Sequence, residues 1–98
     1  MTITSGYARK YFNKEIIMLK KNIATNELGF VFNPATGDSY STNPIAAEII
    51  KMLKEGKDIA NIKRGLLDIY DIEKPTIEKD VDEFMNTLKE NNLLASNL

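Results

Sequence analysis

The step Asn43-Pro44 divides this chain into two parts with different periodicities. Before it, short apolar or alternating runs are interrupted by turn residues. After it, apolar side chains recur every three or four residues almost to the end. Asparagine is a strong helix N-cap and proline suits the first helical position, so a helix starts at this step. A strand-like first part and a helical second part confine the fold to strands first and helices after.

Three stripes organise the helical part. Ile45, Ile49, Ile50 and Leu53 share one face, and Gly56 closes that helix beside Lys54 and Lys57, where cations meet the negative end of the dipole. Asp58 caps a second helix, which carries Ile59, Ile62, Leu66, Ile69 and Tyr70 on one side and runs to about Tyr70. Asp71–Lys74 make a loop. Pro75 opens a third helix with the stripe Ile77, Val81, Phe84, Met85 and Leu88, and Asn91-Asn92 stop it. Leu93-Leu94 then turn back to close the core.

The first part reads as a β-meander. Asn22–Thr25 is a weak strand, Asn26-Glu27 a turn, and Leu28–Phe32 a second strand with two aromatics around a valine. Asn33-Pro34 ends it, because proline has no N–H for a ladder. Gly37 supplies the positive φ of a hairpin turn, and Ser39–Thr42 return antiparallel as the third strand. Residues 15–20 fit a short helix or a strand equally. The expected fold is α+β and winged-helix-like: a small antiparallel meander of three strands followed by three helices. Residues 1–20 read as a basic, partly disordered N-terminal extension, and residues 21–95 as the domain.

Composition removes whole classes of chemistry. The 98 residues contain no cysteine and no histidine, so there is no disulfide, no thiolate and no imidazole base or ligand. Glu78, Asp80, Asp82 and Glu83 lack the spacing of a calcium loop and read as a solvated face that suits the positive end of a helix dipole. The hydroxyls of Ser39, Tyr40, Ser41 and Thr42 have no placed base, and Gly37 belongs to no phosphate-cradling pattern. The expectation is a non-enzyme with no metal and no cofactor. No apolar run approaches about 18 residues, and no signal-peptide core is present, so a cytoplasmic protein without a membrane span is expected.

Charge separates the binding functions. Residues 1–22 carry +4, while the remainder carries −5. The third helix, where a helix-turn-helix protein would read DNA, holds Lys79 and Lys89 against Glu78, Asp80, Asp82, Glu83 and Glu90, a net −3. Phosphate contacts need cations on that face, so nucleic acid is a poor partner. A peptide is a better one. Ser39–Thr42 form an uncharged segment between two Asn-Pro steps, and an uncharged edge strand can accept another strand. A short, protected hairpin edge fits the same residues.

A longer pattern adds to this reading. It begins with GFVFNPATGDSYSTNPIAAEII at residues 29–50. Gly56-Lys57-Asp58-Ile59 with Ile62, and Tyr70-Asp71 with Asp80-Val81-Asp82-Glu83-Phe84 and Leu88, follow in order, and Asn92-Leu93-Leu94 close it. From Gly29 to Leu94 the chain resembles the PqqD family of pyrroloquinoline quinone biosynthesis. It is also similar to the wider group of recognition elements for ribosomally made, post-translationally modified peptides. The resemblance implies a non-catalytic peptide chaperone. Such a protein binds a precursor's leader and presents it to a modifying enzyme, often a radical S-adenosylmethionine protein. It implies that the leader adds beside the third strand, at Ser39, Tyr40, Ser41 and Thr42. The facing helix would offer Asp80, Glu83, Phe84, Thr87 and Leu88, and a leader with lysine or arginine would meet Asp80 and Glu83 favourably. Two other readings of the same chain are a winged-helix DNA-binding regulator with residues 1–21 as a basic arm, and a structural or oligomerisation domain that forms homodimers through its edge strand.

Overall fold

A computed structural model describes residues 17–96. It comprises the strands β1 (Ile17–Leu19), β2 (Ala24–Thr25), β3 (Phe30–Asn33) and β4 (Asp38–Ser41), then the helices α1 (Pro44–Lys54), α2 (Ile59–Ile69) and α3 (Lys74–Glu90), and a last strand β5 (Leu94–Ser96). The antiparallel meander is the sheet β2-β3-β4, with β4 at its edge. The three helices follow it, as the change of periodicity at Asn43-Pro44 requires.

Local chemistry sets these boundaries. The Asn43 side chain accepts the Ala46 N–H at 2.8 Å, and Pro44 opens α1. Asp58 caps α2 in the same way, accepting the Asn61 N–H at 2.9 Å. In the hairpin, the Asn33 carbonyl accepts the N–H groups of Thr36 and Gly37, and its side-chain oxygen accepts that of Ala35. These bonds keep Asn33 in β3, paired with Asp38, so the strand ends one residue later than its sequence suggests. It also starts later. Leu28 lies in the turn, where the Asn26 side chain accepts the N–H groups of Leu28 and Phe30.

A second sheet joins the two ends of the described chain. Ile17, Met18 and Leu19 pair antiparallel with Ser96, Ala95 and Leu94, and the Lys20 N–H donates to the Leu93 carbonyl at 2.9 Å. The ambiguous segment around residues 15–20 is therefore a strand from Ile17. Leu93 does turn inward, but the chain continues as β5. Of the basic extension expected over residues 1–20, residues 1–16 lie outside the described residues, and Ile17–Leu19 form β1.

One core serves both parts. Val31 from the meander, Ile49, Ile50, Met52 and Leu53 from α1, Ile62 and Leu66 from α2, and Ile77, Val81 and Leu88 from α3 are buried together. Ile69, read as part of the α2 stripe, is instead 53% exposed at the end of its helix. Sheet alternation leaves the other face of β3 to solvent, where Phe30 and Phe32 stay about half exposed.

Candidate functional site

The edge strand β4 lies opposite α3, and a groove runs between them. Two adjoining cavities form it. The first holds about 290 Å³ and is mostly apolar, with Val31, Ala46, Leu88 and Leu93 at its base and Tyr40 and Phe84 on its sides. The second holds about 230 Å³ and reaches past Ile45 and Ile49 to Asp80 and Glu83. Asn43, Ala46, Phe84 and Thr87 line both.

Backbone parity decides what β4 offers to this groove. The Thr42 N–H donates to the Gly29 carbonyl at 3.0 Å, which makes Gly29 and Thr42 a hydrogen-bonded pair. In an antiparallel ladder such pairs alternate, so Val31–Tyr40 and Asn33–Asp38 are bonded pairs as well. The other neighbour agrees: the Asn26 N–H donates to the Phe30 carbonyl, so Phe30 and Phe32 turn their main-chain groups toward β2. Ser39 and Ser41 consequently direct their N–H and C=O groups away from β3, to an edge that no other described strand covers. Their side chains lie on the outer face with Phe30 and Phe32, while Tyr40 shares the inner face with Val31.

The opposite wall is held in place by α3 itself. The Thr87 hydroxyl donates to the Glu83 carbonyl at 3.0 Å, and the Asn91 amide donates to the Thr87 carbonyl at 2.8 Å. Asn91 then presents its side-chain oxygen to the Tyr40 hydroxyl at 3.5 Å, across one end of the groove. Leu88, 2% exposed, is floor rather than wall, and Phe84 is half-buried beside it.

Of the residues expected on the peptide surface, Tyr40, Ser41, Thr42, Phe84, Thr87 and Leu88 line the first cavity, and Asp80 and Glu83 line the second. Ser39 lines neither; it belongs to the strand edge alone. Ala46, Asn91 and Leu93 were not expected on this surface: from sequence Asn91 is a helix stop and Leu93 a core residue. A small residue one turn after a cap, and a helix-terminal asparagine, gave a weak signal for the first two.

The acids of α3 need a different account from the one their sequence suggests. The helix starts at Lys74, and its first turn holds no acid. Dipole stabilisation fades beyond the first turn, so it does not explain residues 78–83. Asp82 pairs with Lys63 of α2 at 3.1 Å, on another side of the helix. Among the described residues, Asp80 and Glu83 form no ion pair, and neither groove cavity is lined by a lysine or arginine. Among the same residues, no helix is long and apolar enough to cross a membrane, and no group of three carboxylates converges on a metal position.

Comparison with known proteins bears on the family and the fold. Residues 29–94 match the family described as coenzyme PQQ synthesis protein D (PqqD). Two solved structures share the fold. One is TbiB1 in complex with the TbiA(beta) leader peptide, with a TM-score of 0.73 and 21% identity over 79% of this chain and 93% of that one. The other is a lasso peptide synthetase B1 complexed with the leader peptide, with a TM-score of 0.72 and 23% identity over 82% of this chain and 98% of that one. At these identities the likeness is one of fold. No protein of curated function matches the sequence.

Proposed function

The chain belongs to the PqqD family, and from that membership we propose that it is a peptide chaperone: it takes up the leader of a ribosomally made precursor peptide as an added strand on β4 and presents the precursor to a modifying enzyme. The observation that carries this reading is the coincidence of an open strand edge with a groove. Among the described residues no strand pairs with the outward main-chain groups of Ser39 and Ser41, and the apolar cavity beside Tyr40 faces the same side of the strand. Main-chain pairing supplies affinity in this mode, and the cavities supply selectivity. The leader-bound fold neighbours support it, since each was solved with a leader peptide.

The reading assigns the chain no chemistry of its own. Its side chains hold and orient a peptide, and the modifying enzyme performs the reaction. The net negative charge of α3 weighs against the helix-turn-helix alternative, because a helix of that sign repels the phosphate backbone.

Amide chemical-shift mapping tests the proposal. The full-length chain is titrated with synthetic leaders of precursor peptides encoded by neighbouring genes. Saturable shifts at residues 38–43 and 80–91 are expected. Shifts that avoid both segments, or salt-dependent binding to random duplex DNA in place of peptide binding, overturn it.

A further inference from the structure

The groove is not uniform along its length, and its asymmetry says what kind of leader fits. Asp80 and Glu83 stand at the end near Asn43 and Ile45. The apolar cavity stands at the end near Tyr40 and Asn91. Helix α3 therefore runs alongside β4 in the opposite direction, with its acids beside the end of the strand.

The separation of the two ends can be converted into leader residues. Glu83 precedes Leu88 by five residues, about 7.5 Å along a helix axis at 1.5 Å per residue. A strand advances about 6.8 Å in two residues, and residues two apart point to the same side. Two consecutive inward side chains of a docked strand thus match the two ends of the groove. By register they lie opposite Tyr40, the inner-face residue of β4, and Thr42, two residues on, beside Asn43 where the two cavities meet. The intervening residue points outward, to the face of Ser41 and Phe30.

Antiparallel pairing is the more stable arrangement for an added strand. In that direction the leader residue opposite Thr42 comes first in its sequence. We infer that the cognate leader carries lysine or arginine two residues before an aliphatic or aromatic residue. The cation meets Asp80 and Glu83, and the apolar side chain enters the cavity formed by Val31, Ala46, Phe84, Leu88 and Leu93. This inference rests on the strand-docking function proposed above and specifies its substrate. It also accounts for the two acids that neither the helix dipole nor an ion pair within the described residues explains.

The test uses the full-length chain and two nine-residue Ser/Thr peptides of identical composition. One carries Lys-Thr-Leu at its centre, and the other Leu-Thr-Lys. Affinities come from amide shift titrations, which tolerate weak binding. The Lys-Thr-Leu peptide is expected to bind about fivefold tighter at moderate salt, the range of a partly exposed charge contact. The double variant Asp80→Asn with Glu83→Gln should reduce that preference to about one, while the apolar contact remains. Equal affinity for the two orders, with saturable shifts at Ser39 and Ser41, overturns the inference and leaves strand docking intact. A preference that survives the double variant also overturns it. Absence of shifts at Ser39 and Ser41, with these peptides and with the encoded leaders alike, overturns both.

Discussion

Thr42 donates twice to one oxygen: its hydroxyl reaches the Gly29 carbonyl at 2.6 Å and its amide N–H reaches it at 3.0 Å. This pair of hydrogen bonds ties the end of β4 to the start of β3, one residue before the cap of α1. It thereby fixes the end of the strand edge that lines the groove. Gly29 has φ +89, and a Cβ there would overlap the Thr42 hydroxyl oxygen and press on Ala47. Gly29→Ala should cost about 3 kcal/mol, combining left-handed strain with overpacking. Gly37 has φ +80 but open space around it, so Gly37→Ala should cost only about 1 kcal/mol. Urea unfolding of both variants measures the difference. Equal losses would show that the Gly29–Thr42 contact contributes nothing beyond the φ value.

Asn43 has two roles that substitution can separate. It caps α1 through the Ala46 N–H, and it lines both groove cavities. Asn43→Ala should cost about 1 kcal/mol of stability, and Asn43→Ser should retain most of it, because serine also caps. Thermal and urea unfolding read this directly. If alanine and serine destabilise equally, the cap is not what stabilises the strand-to-helix junction.

Leu66 and Ile69 lie three residues apart on α2 and should respond very differently. Leu66 is fully buried in the core, while Ile69 is 53% exposed. Leu66→Ala should cost about 2–5 kcal/mol through lost burial and the cavity left behind. Ile69→Ala should stay within about 0.5 kcal/mol. Denaturant midpoints with unchanged slopes give both numbers, and a large effect at Ile69 would mean that this helix end is covered in solution.

Periodicity made the helices legible, because each helix extends over about three turns or more and two carry side-chain caps at Asn43 and Asp58. It could not decide the strands β1 and β5, each three residues long, whose pairing depends on partners more than seventy residues away. The hairpin strand was readable from its two Asn-Pro steps, but its uncharged edge fits a protected hairpin as well, and only the family resemblance made it a docking wall. The helix wall was only partly readable. Which α3 residues meet the groove depends on the roll of that helix against the sheet, which sequence spacing does not determine. Asn91 shows this well: it looked like a helix stop and also faces Tyr40. The acids of α3 resemble dipole partners because they crowd the first half of the helix, but the dipole acts within the first turn, which holds no acid.

The parity of β4 yields the sharpest test of how a peptide docks. Tyr40 directs its N–H into the ladder with Val31, while the N–H of Ser41 faces the open edge. Proline at Ser41 would remove only the outward donor, and its fixed φ is tolerated at an edge strand. The fold should lose no more than about 1 kcal/mol. Leader binding should fall by about tenfold, the effect of one main-chain hydrogen bond lost with its geometry. Ser41→Ala keeps the donor and should bind as the parent does. Tyr40→Pro breaks the internal ladder and should unfold the meander whether or not peptide is present. Binding isotherms and unfolding curves for the three variants form a closed set. If Ser41→Pro and Ser41→Ala bind a leader equally well, the peptide does not pair with the β4 backbone, and the groove holds it by side chains alone.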